Sequence, residues 1–351
     1  MLIKRNRVPL RSMLTVGLLP SSLKVAYYRL RGHRIGKGVR IGPLSVVVGR
    51  EVSIGEGSSI GFGTILRGRK IRIGRHVRIG SMVFFDVHSF EIDDDAKVNE
   101  QVYAGGPMLP ESFLRLGKRT IVMQFSFLNP TKPLVVGDDT GIGGHCLLFT
   151  HGSWQPQTDG YPVAFAPITL GQNVWLPWRV FIMPGVTVGE GTTIGANSLV
   201  TKDLPAHCLA AGAPAKVLRG PDGYPTEPDL LEKDRMLRVI FNEFKGYLTD
   251  EGLTIMSEDT DSGFRWRITK ASRDSGTLEY FSSDAGRLDS AAKGKVVLVL
   301  GPVADSVARE AAGRGGMIID LLQRRRWGST DAGEEAALFL SRYGLRFNRE
   351  D

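Results

Sequence analysis

The stretch Ile35-Gly36-Lys37-Gly38-Val39-Arg40-Ile41-Gly42 contains an aliphatic residue followed by glycine twice, with a step of six residues between the two pairs. The pair recurs at Ile54-Gly55, Ile60-Gly61, Ile73-Gly74 and Ile79-Gly80. A step of six matches neither an amphipathic α-helix, whose period is about 3.6 residues, nor a single alternating strand, whose period is about two. It is typical of a chain that winds around a triangular prism, with one short parallel strand on each face.

Apolar residues extend the step of six along the chain and predict which side chains point into the prism. About eight coils fit between residues 35 and 204. The early coils recur every 19 residues instead of every 18, which predicts one bulged residue in each of them. The predicted inward residues are Ile35, Ile41, Val47; Ile54, Ile60, Leu66; Ile73, Ile79, Phe85; the weaker pair Ile92, Val98; Leu116, Val122, Leu128; Val136, Ile142, Leu148; Leu170, Leu176, Ile182; and Val188, Ile194, Val200.

The limits of this pattern predict three regions and a fold that is mainly β. Residues 1–34 form a basic, partly helical cap, because a terminal coil exposes unpaired strand edges. Residues 35–220 form the β-helix, and residues 221–351 form a small α/β accessory domain. The apolar contacts of the cap are expected to be Tyr27, Tyr28 and Leu30. The elements predicted after residue 220 are a helix at 228–249, strands at Phe264–Ala271, Thr277–Phe281, Lys295–Gly301 and Met317–Leu321, and helices at Asp305–Ala312 and Ala332–Tyr343.

The charge of the chain is concentrated at its start. The net charge is +8, and the first 80 residues contain 17 Lys and Arg against 2 Asp and Glu. We expect this region to attract phosphate, on an anionic membrane surface or on a diphosphate-linked substrate, and the alternative is a basic face that is merely solvated. The sequence contains no recognisable nucleic-acid module, so we expect no nucleic-acid partner. With two cysteines, and neither a signal peptide nor an apolar run long enough to span a membrane, we expect a cytoplasmic protein that can lie at the inner face of the membrane.

Four segments between residues 167 and 219 resemble the hexapeptide-repeat acyltransferases, in particular the galactoside, maltose and Nod-factor O-acetyltransferases. They are Pro167-Ile168-Thr169-Leu170-Gly171-Gln172-Asn173-Val174-Trp175, Pro184-Gly185-Val186-Thr187-Val188-Gly189, Ile194-Gly195-Ala196-Asn197-Ser198-Leu199-Val200-Thr201-Lys202-Asp203 and Ala210-Ala211-Gly212-Ala213-Pro214-Ala215-Lys216-Val217-Leu218-Arg219. The resemblance is densest over residues 136–219. It implies a left-handed parallel β-helix, a homotrimer and acetyl-CoA as co-substrate.

A sugar hydroxyl needs a base before it can attack a thioester, and an imidazole that titrates near neutral pH is suited to this role. The best candidate among the six histidines is His151, because it precedes a segment, 152–167, that leaves the step of six. The resemblance implies that this segment is the loop that reaches over a neighbouring subunit. His151 comes about two residues earlier than the family's histidine, and Gly152 replaces the proline that usually follows. Of the others, His33 and His76 lie among arginines, and His207 is expected at the surface.

His145 has the same phase of the repeat as His151 and lies on a different face, so the two are not expected to bind one metal ion. The histidine spacing of the γ-class carbonic anhydrases, which hold zinc on the same fold, is absent from the sequence. We therefore expect no metal site. Asp138 and Asp139 either orient a histidine or are solvated turn residues.

The resemblance also implies where the co-substrate binds. The donor to the thioester oxyanion corresponds to the backbone N–H of Trp178 or of a neighbour, because Pro177 has no N–H. Trp178 is bulky and would narrow the pocket for the acyl group, so transfer of an acyl group other than acetyl is an alternative. The residues implied to contact coenzyme A are Trp175, Ala196, Thr201, Lys202, Lys216 and Arg219.

The sequence thus predicts a CoA-dependent O-acetyltransferase that acts on a sugar hydroxyl of a cell-surface polysaccharide or of its lipid-linked precursor. One alternative is an N-acetyltransferase of an amino-sugar nucleotide. Another is a β-helix scaffold without catalytic activity, which would not bind coenzyme A.

Overall fold

The computed structural model describes residues 9–260, 262–271, 273–282 and 293–350. The chain divides after Thr226 into two compact units. The first unit is mainly β, and its strands visit three parallel sheets in a fixed order, so that each turn of the chain adds one strand to each sheet. This arrangement is a parallel β-helix. Its three sheets are named here the first, second and third faces.

Each face is a ladder of short strands paired in register with the next coil. The first face contains Arg34–Ile35, Glu51–Ile54, Lys70–Ile73, Ser89–Ile92, Phe113–Leu116, Leu134–Val136, Ile168–Leu170 and Thr187–Val188. The second contains Arg40–Ile41, Ser59–Ile60, Arg78–Ile79, Lys97–Val98, Ile121–Val122, Gly141–Ile142, Trp175–Leu176, Thr193–Ile194, Leu209–Gly212 and the antiparallel Ala215–Arg219. The third contains Val46–Val48, Ile65–Arg67, Phe84–Asp86, Tyr103–Gly105, Phe127–Asn129, Leu147–Phe149, Phe181–Ile182 and Leu199–Val200.

The interior of the prism is one continuous hydrophobic core. Every residue predicted to point inward, including the weaker pair Ile92 and Val98, is buried and belongs to this core. The additional residue of the early coils lies at the corner between the third and first faces, as at Gly49-Arg50. There the N–H groups of Arg50 and Glu51 both donate to the carbonyl of Arg69, and the strands on either side pair in register with the next coil.

Two helices precede the first coil: α1 (Leu10–Leu14) and α2 (Ser21–Leu30). Side chains of α2 reach the open strand edges of the first coil on all three faces, so this helix satisfies backbone groups that a further coil would otherwise pair. Leu30 was expected to pack against the prism and is instead exposed, because it lies on the opposite side of α2 from Tyr28. The contacts are Arg29 to the carbonyls of Ile35 and Gly36, Ser21 Oγ from the N–H of Ile41, Lys24 Nζ to the carbonyls of Gly42 and Ser45, and Tyr28 Oη from the N–H of Val47.

The second unit is a seven-stranded mixed sheet with helices on both faces. The helices α3 (Leu230–Asp250) and α5 (Asp331–Leu340) pack on one face, and α4 (Asp305–Gly313) packs on the other. The sheet order is Thr254–Thr260, Gly263–Lys270, Arg273–Phe281, Lys295–Val299, Met317–Asp320, Arg325–Gly328 and Asn348–Arg349. In the described part of the chain, no helix has the length and hydropathy needed to cross a bilayer.

Candidate functional site

His151 follows the third face, at the corner where the chain turns toward the first face. Its Nδ1 lies 2.8 Å from Asn129 Oδ1, and Thr131 Oγ1 donates to the same oxygen at 2.8 Å. An amide oxygen can only accept, so Nδ1 is the donor in this contact and the hydrogen of the neutral imidazole is on Nδ1. The lone pair is then on Nε2, which is the form of histidine that can accept a proton.

The backbone beside His151 is fixed by a buried threonine. Thr150 Oγ1 donates to the carbonyl of Asn129 at 2.6 Å and accepts from the N–H of Lys132 at 2.9 Å. Below this pair lies Gly106, where a Cβ would come within 2.8 Å of both polar atoms of the Asn129 amide. A glycine is therefore required if the asparagine is to approach the coil beneath it closely.

His151 also lies between aromatic rings. Phe165 stacks on the imidazole, with ring centroids 5.6 Å apart. Phe149, two residues before His151 in the chain, has its ring centroid 6.4 Å from that of the imidazole. Burial by these neighbours lowers the pKa of His151, because it disfavours the charged imidazolium. The imidazole is therefore neutral at physiological pH, as a general base requires.

A ladder of stacked aromatic side chains runs along the outer side of the third face and ends beside His151. Successive centroids are 4.6–5.2 Å apart and the planes differ by 15–17°. The ring faces cover one another, so only the edges of the rings point outward. The rungs are Phe84, Tyr103, Phe127 and Phe149.

The two ends of the segment that starts at His151 pair with each other as short antiparallel strands. His151–Gly152 pairs with Ala164–Phe165, and the residues between them are exposed except for the half-buried Val163. Trp154 is 98% exposed, so the single chain gives this large side chain almost no cover.

Trp178 lies at a different corner, between the second and third faces. Its ring covers Gly144 of the preceding coil, and its centroid is 5.8 Å from that of His145, which in turn stacks on Phe125. The backbone N–H of Trp178 donates no hydrogen bond to any of the residues that the structure describes. Ala196 is exposed at the same corner one coil further on.

The remaining residues implied to contact coenzyme A are partly exposed or exposed on two sides of the prism. Thr201 and Lys202 lie at the corner that also carries His151. Trp175 lies on the outer side of the second face against Gly141, and Lys216 and Arg219 lie in the strand at the edge of that face. In the described ranges, the three cations form no ion pair.

One chain therefore does not bring the two sets of residues together. It places His151 and Lys202 at one corner and Trp178 and Ala196 at another. Asp138 and Asp139 lie at the third corner. Asp138 accepts the N–H of Lys118, and Asp139 pairs with Arg119. Among the described residues, no group of three His, Cys, Asp or Glu side chains is arranged to hold a metal ion.

Sequence reasoning did not find Asn129, Thr131 or Phe165. Asn129 is 22 residues before His151 in the chain and meets it only because the two lie in successive coils. The available signal was a polar residue at the end of an apolar strand, Phe127-Leu128-Asn129, followed by proline.

Residues 167–202 match the family model described as the hexapeptide repeat of succinyl-transferase. Over this part of its length, the β-helix is similar to the hexapeptide-repeat acetyltransferases. Galactoside O-acetyltransferase of Escherichia coli is 55% identical over 89 residues, which are 24% of this chain and 43% of that protein. A protein of Staphylococcus aureus named as an acetyltransferase is 49% identical over 75 residues, which are 21% of this chain and 35% of its own length. The chain thus spans less than half of the length of these relatives.

Solved structures of similar proteins include the polySia specific acetyltransferase NeuO, with a TM-score of 0.36 and 21% identity over 56% of this chain and 89% of that chain. The UDP-N-acetylglucosamine acyltransferase from Campylobacter jejuni has a TM-score of 0.44 and 21% identity, over 60% of this chain and 79% of that chain.

Proposed function

We propose that this protein is an O-acetyltransferase that transfers an acetyl group from acetyl-CoA to a sugar hydroxyl. The observation that carries the proposal is the hydrogen bond between Asn129 Oδ1 and His151 Nδ1, 2.8 Å long. It leaves Nε2 of a neutral imidazole free to accept the proton of an acceptor hydroxyl.

In this mechanism, His151 Nε2 accepts the hydroxyl proton while the hydroxyl oxygen attacks the thioester carbonyl carbon. The new C–O bond forms, the C–S bond breaks, and the imidazolium returns the proton to the leaving sulfur, which departs as the thiol of coenzyme A. Asn129 stabilises the imidazolium through Nδ1. The Trp178 N–H, which has no partner among the described residues, is available to the negative charge that develops on the thioester oxygen.

The exposed cations fit the phosphates of coenzyme A. Lys202, Lys216 and Arg219 have no carboxylate partners in the described part of the chain, so binding a phosphate would break no ion pair. Trp175, Ala196 and Thr201 would then contact the remainder of the co-substrate. The absence of acidic partners supports this assignment over a purely structural role.

We infer that the active unit is a homotrimer of left-handed β-helices, each with about eight coils and a helical cap. His151 and Trp178 lie at different corners of one chain, so a complete site requires the corner of a second copy. The half-buried edges of the aromatic ladder and the exposed Trp154 are also surfaces that assembly would cover.

The proposed acceptor is a hydroxyl of a cell-surface polysaccharide or its lipid-linked precursor. The name of the Escherichia coli relative, a galactoside O-acetyltransferase, supports a hydroxyl over an amine. The experiment is to incubate the purified protein with acetyl-CoA and glycan acceptors and to follow thiol release. Transfer only to amino-sugar nucleotides would favour the N-acetyltransferase alternative, and absence of coenzyme A binding would favour a scaffold.

A further inference from the structure

The segment that contains the two N-terminal helices exposes several leucine side chains. Five leucines between residues 10 and 30 are 53–88% exposed. Leu10 and Leu14 are four residues apart on one side of α1, and Leu23 and Leu30 are seven apart on one side of α2. The five are Leu10, Leu14, Leu18, Leu23 and Leu30.

One side of α2 packs against the first coil of the prism. Lys24 and Tyr28 are buried, and both donate or accept hydrogen bonds at the first coil. The side of α2 that carries Leu23 and Leu30 thus faces away from the core of its own unit.

Only some of the basic side chains before residue 35 are free to contact a partner. Eight basic residues precede residue 35, but Lys24 is buried and the Arg29 guanidinium is bound to the carbonyls of Ile35 and Gly36. Among the residues of this segment that the structure describes, the other exposed cations are Arg11, Arg31 and Arg34. The first acidic residue of the chain is Glu51, so no carboxylate in the first 50 residues opposes them.

We propose that the exposed leucines of α1 and α2 dock the protein on an anionic lipid membrane. The leucines enter the boundary between headgroups and acyl chains, and the arginines contact lipid phosphates. Interfacial helices bind in this way when apolar area and basic charge occur together without acidic residues. The proposal does not depend on acyl transfer, and it assigns most of the binding to the leucines rather than to the charge of the first 35 residues.

The test is sedimentation of the full chain with vesicles of phosphatidylcholine alone or with a quarter of phosphatidylglycerol. The double variant Leu14→Ser/Leu30→Ser should weaken binding to both kinds of vesicle by at least about tenfold, because the apolar contribution is lost. The double variant Arg31→Gln/Arg34→Gln should weaken binding only to the anionic vesicles, and raised salt should remove that difference.

Leu231→Ser is the matched control, since Leu231 is an exposed leucine of α3 in the other unit. It should bind vesicles as the unchanged protein does. Circular dichroism shows whether each variant is folded. The proposal is overturned if the leucine variant is folded and still binds normally, or if it changes the mass of the assembly without changing vesicle binding, which would make the surface an interface between copies.

Discussion

Asn129 and His151 lie in successive coils of the β-helix, and the amide oxygen of one is 2.8 Å from Nδ1 of the other. The hydrogen bond fixes both the orientation of the imidazole and the nitrogen that carries its hydrogen. Because Asn129 is held by Thr131 and packed against Gly106, the arrangement is pre-organised before any substrate binds.

We expect His151→Ala to abolish chemistry without abolishing coenzyme A binding. General-base assistance typically contributes a factor of about 10²–10⁴, so kcat should fall by at least the lower figure. The affinity for coenzyme A, measured by calorimetry, should change little, because the proposed phosphate contacts come from Lys202, Lys216 and Arg219. His145→Ala is the control. An inactive His145→Ala beside an active His151→Ala would place the base at the corner of Trp178 instead.

Asn129→Asp should move the acid limb of the pH–rate profile to higher pH. A carboxylate in place of the amide favours the imidazolium and raises the pKa of His151, so the neutral base is lost sooner as the pH falls. Asn99→Asp, at another corner, adds the same charge away from His151. If Asn129 had only a structural role, Asn129→Asp would lower the rate at every pH and leave the limb where it is.

In the unchanged protein, the acid limb of the pH–rate profile should lie below the pH at which an ordinary imidazole titrates. Burial lowers the pKa of His151 from its ordinary value of 6.5, so the neutral base is lost only as the pH falls through the lowered pKa. The midpoint of the acid limb in a profile of kcat/KM should therefore lie below pH 6.5. A midpoint above pH 6.5 would contradict the assignment of His151.

Gly144→Ala should impair the site through Trp178. The Trp178 ring lies directly on Gly144, so an added methyl group must displace it. Misplacement by about 1 Å in a catalytic site can cost about 10²-fold, and we expect kcat/KM to fall at least tenfold while circular dichroism is unchanged. Gly220→Ala, where a Cβ would meet no atom within 4 Å, is the control. Equal activity of both variants would remove Trp178 from the site.

The assembly should have the mass of three chains of 38.4 kDa in light scattering at micromolar concentration. Mixing inactive His151→Ala chains with Gly144→Ala chains should restore some activity if each site is shared, since some mixed trimers then contain one intact pair of corners. A monomeric mass with full activity would falsify the shared site.

The sequence predicted the β-helix because one local rule, an inward residue every six positions, repeats along it. The rule specifies which side chains point inward but not which side chains of successive coils meet, so it could not predict the pairing of Asn129 with His151. In the second unit the apolar strands and the helices were predicted to within a few residues. The strands at Thr254–Thr260, Arg325–Gly328 and Asn348–Arg349 were missed. The first is an exposed polar edge, the second begins with two arginines, and the third consists of two polar residues.

The helix α2 has a consequence for how copies of this protein meet. A parallel ladder that ended at Arg34–Ile35 would offer its edge to the last coil of another molecule, and such stacking could continue into a fibre. Four side chains of α2 occupy that edge on all three faces. At the other end, Ala215–Arg219 runs antiparallel to its neighbour and interrupts the template on the second face. The first coil is therefore closed to a further molecule on all three faces, and the last coil is closed on the second.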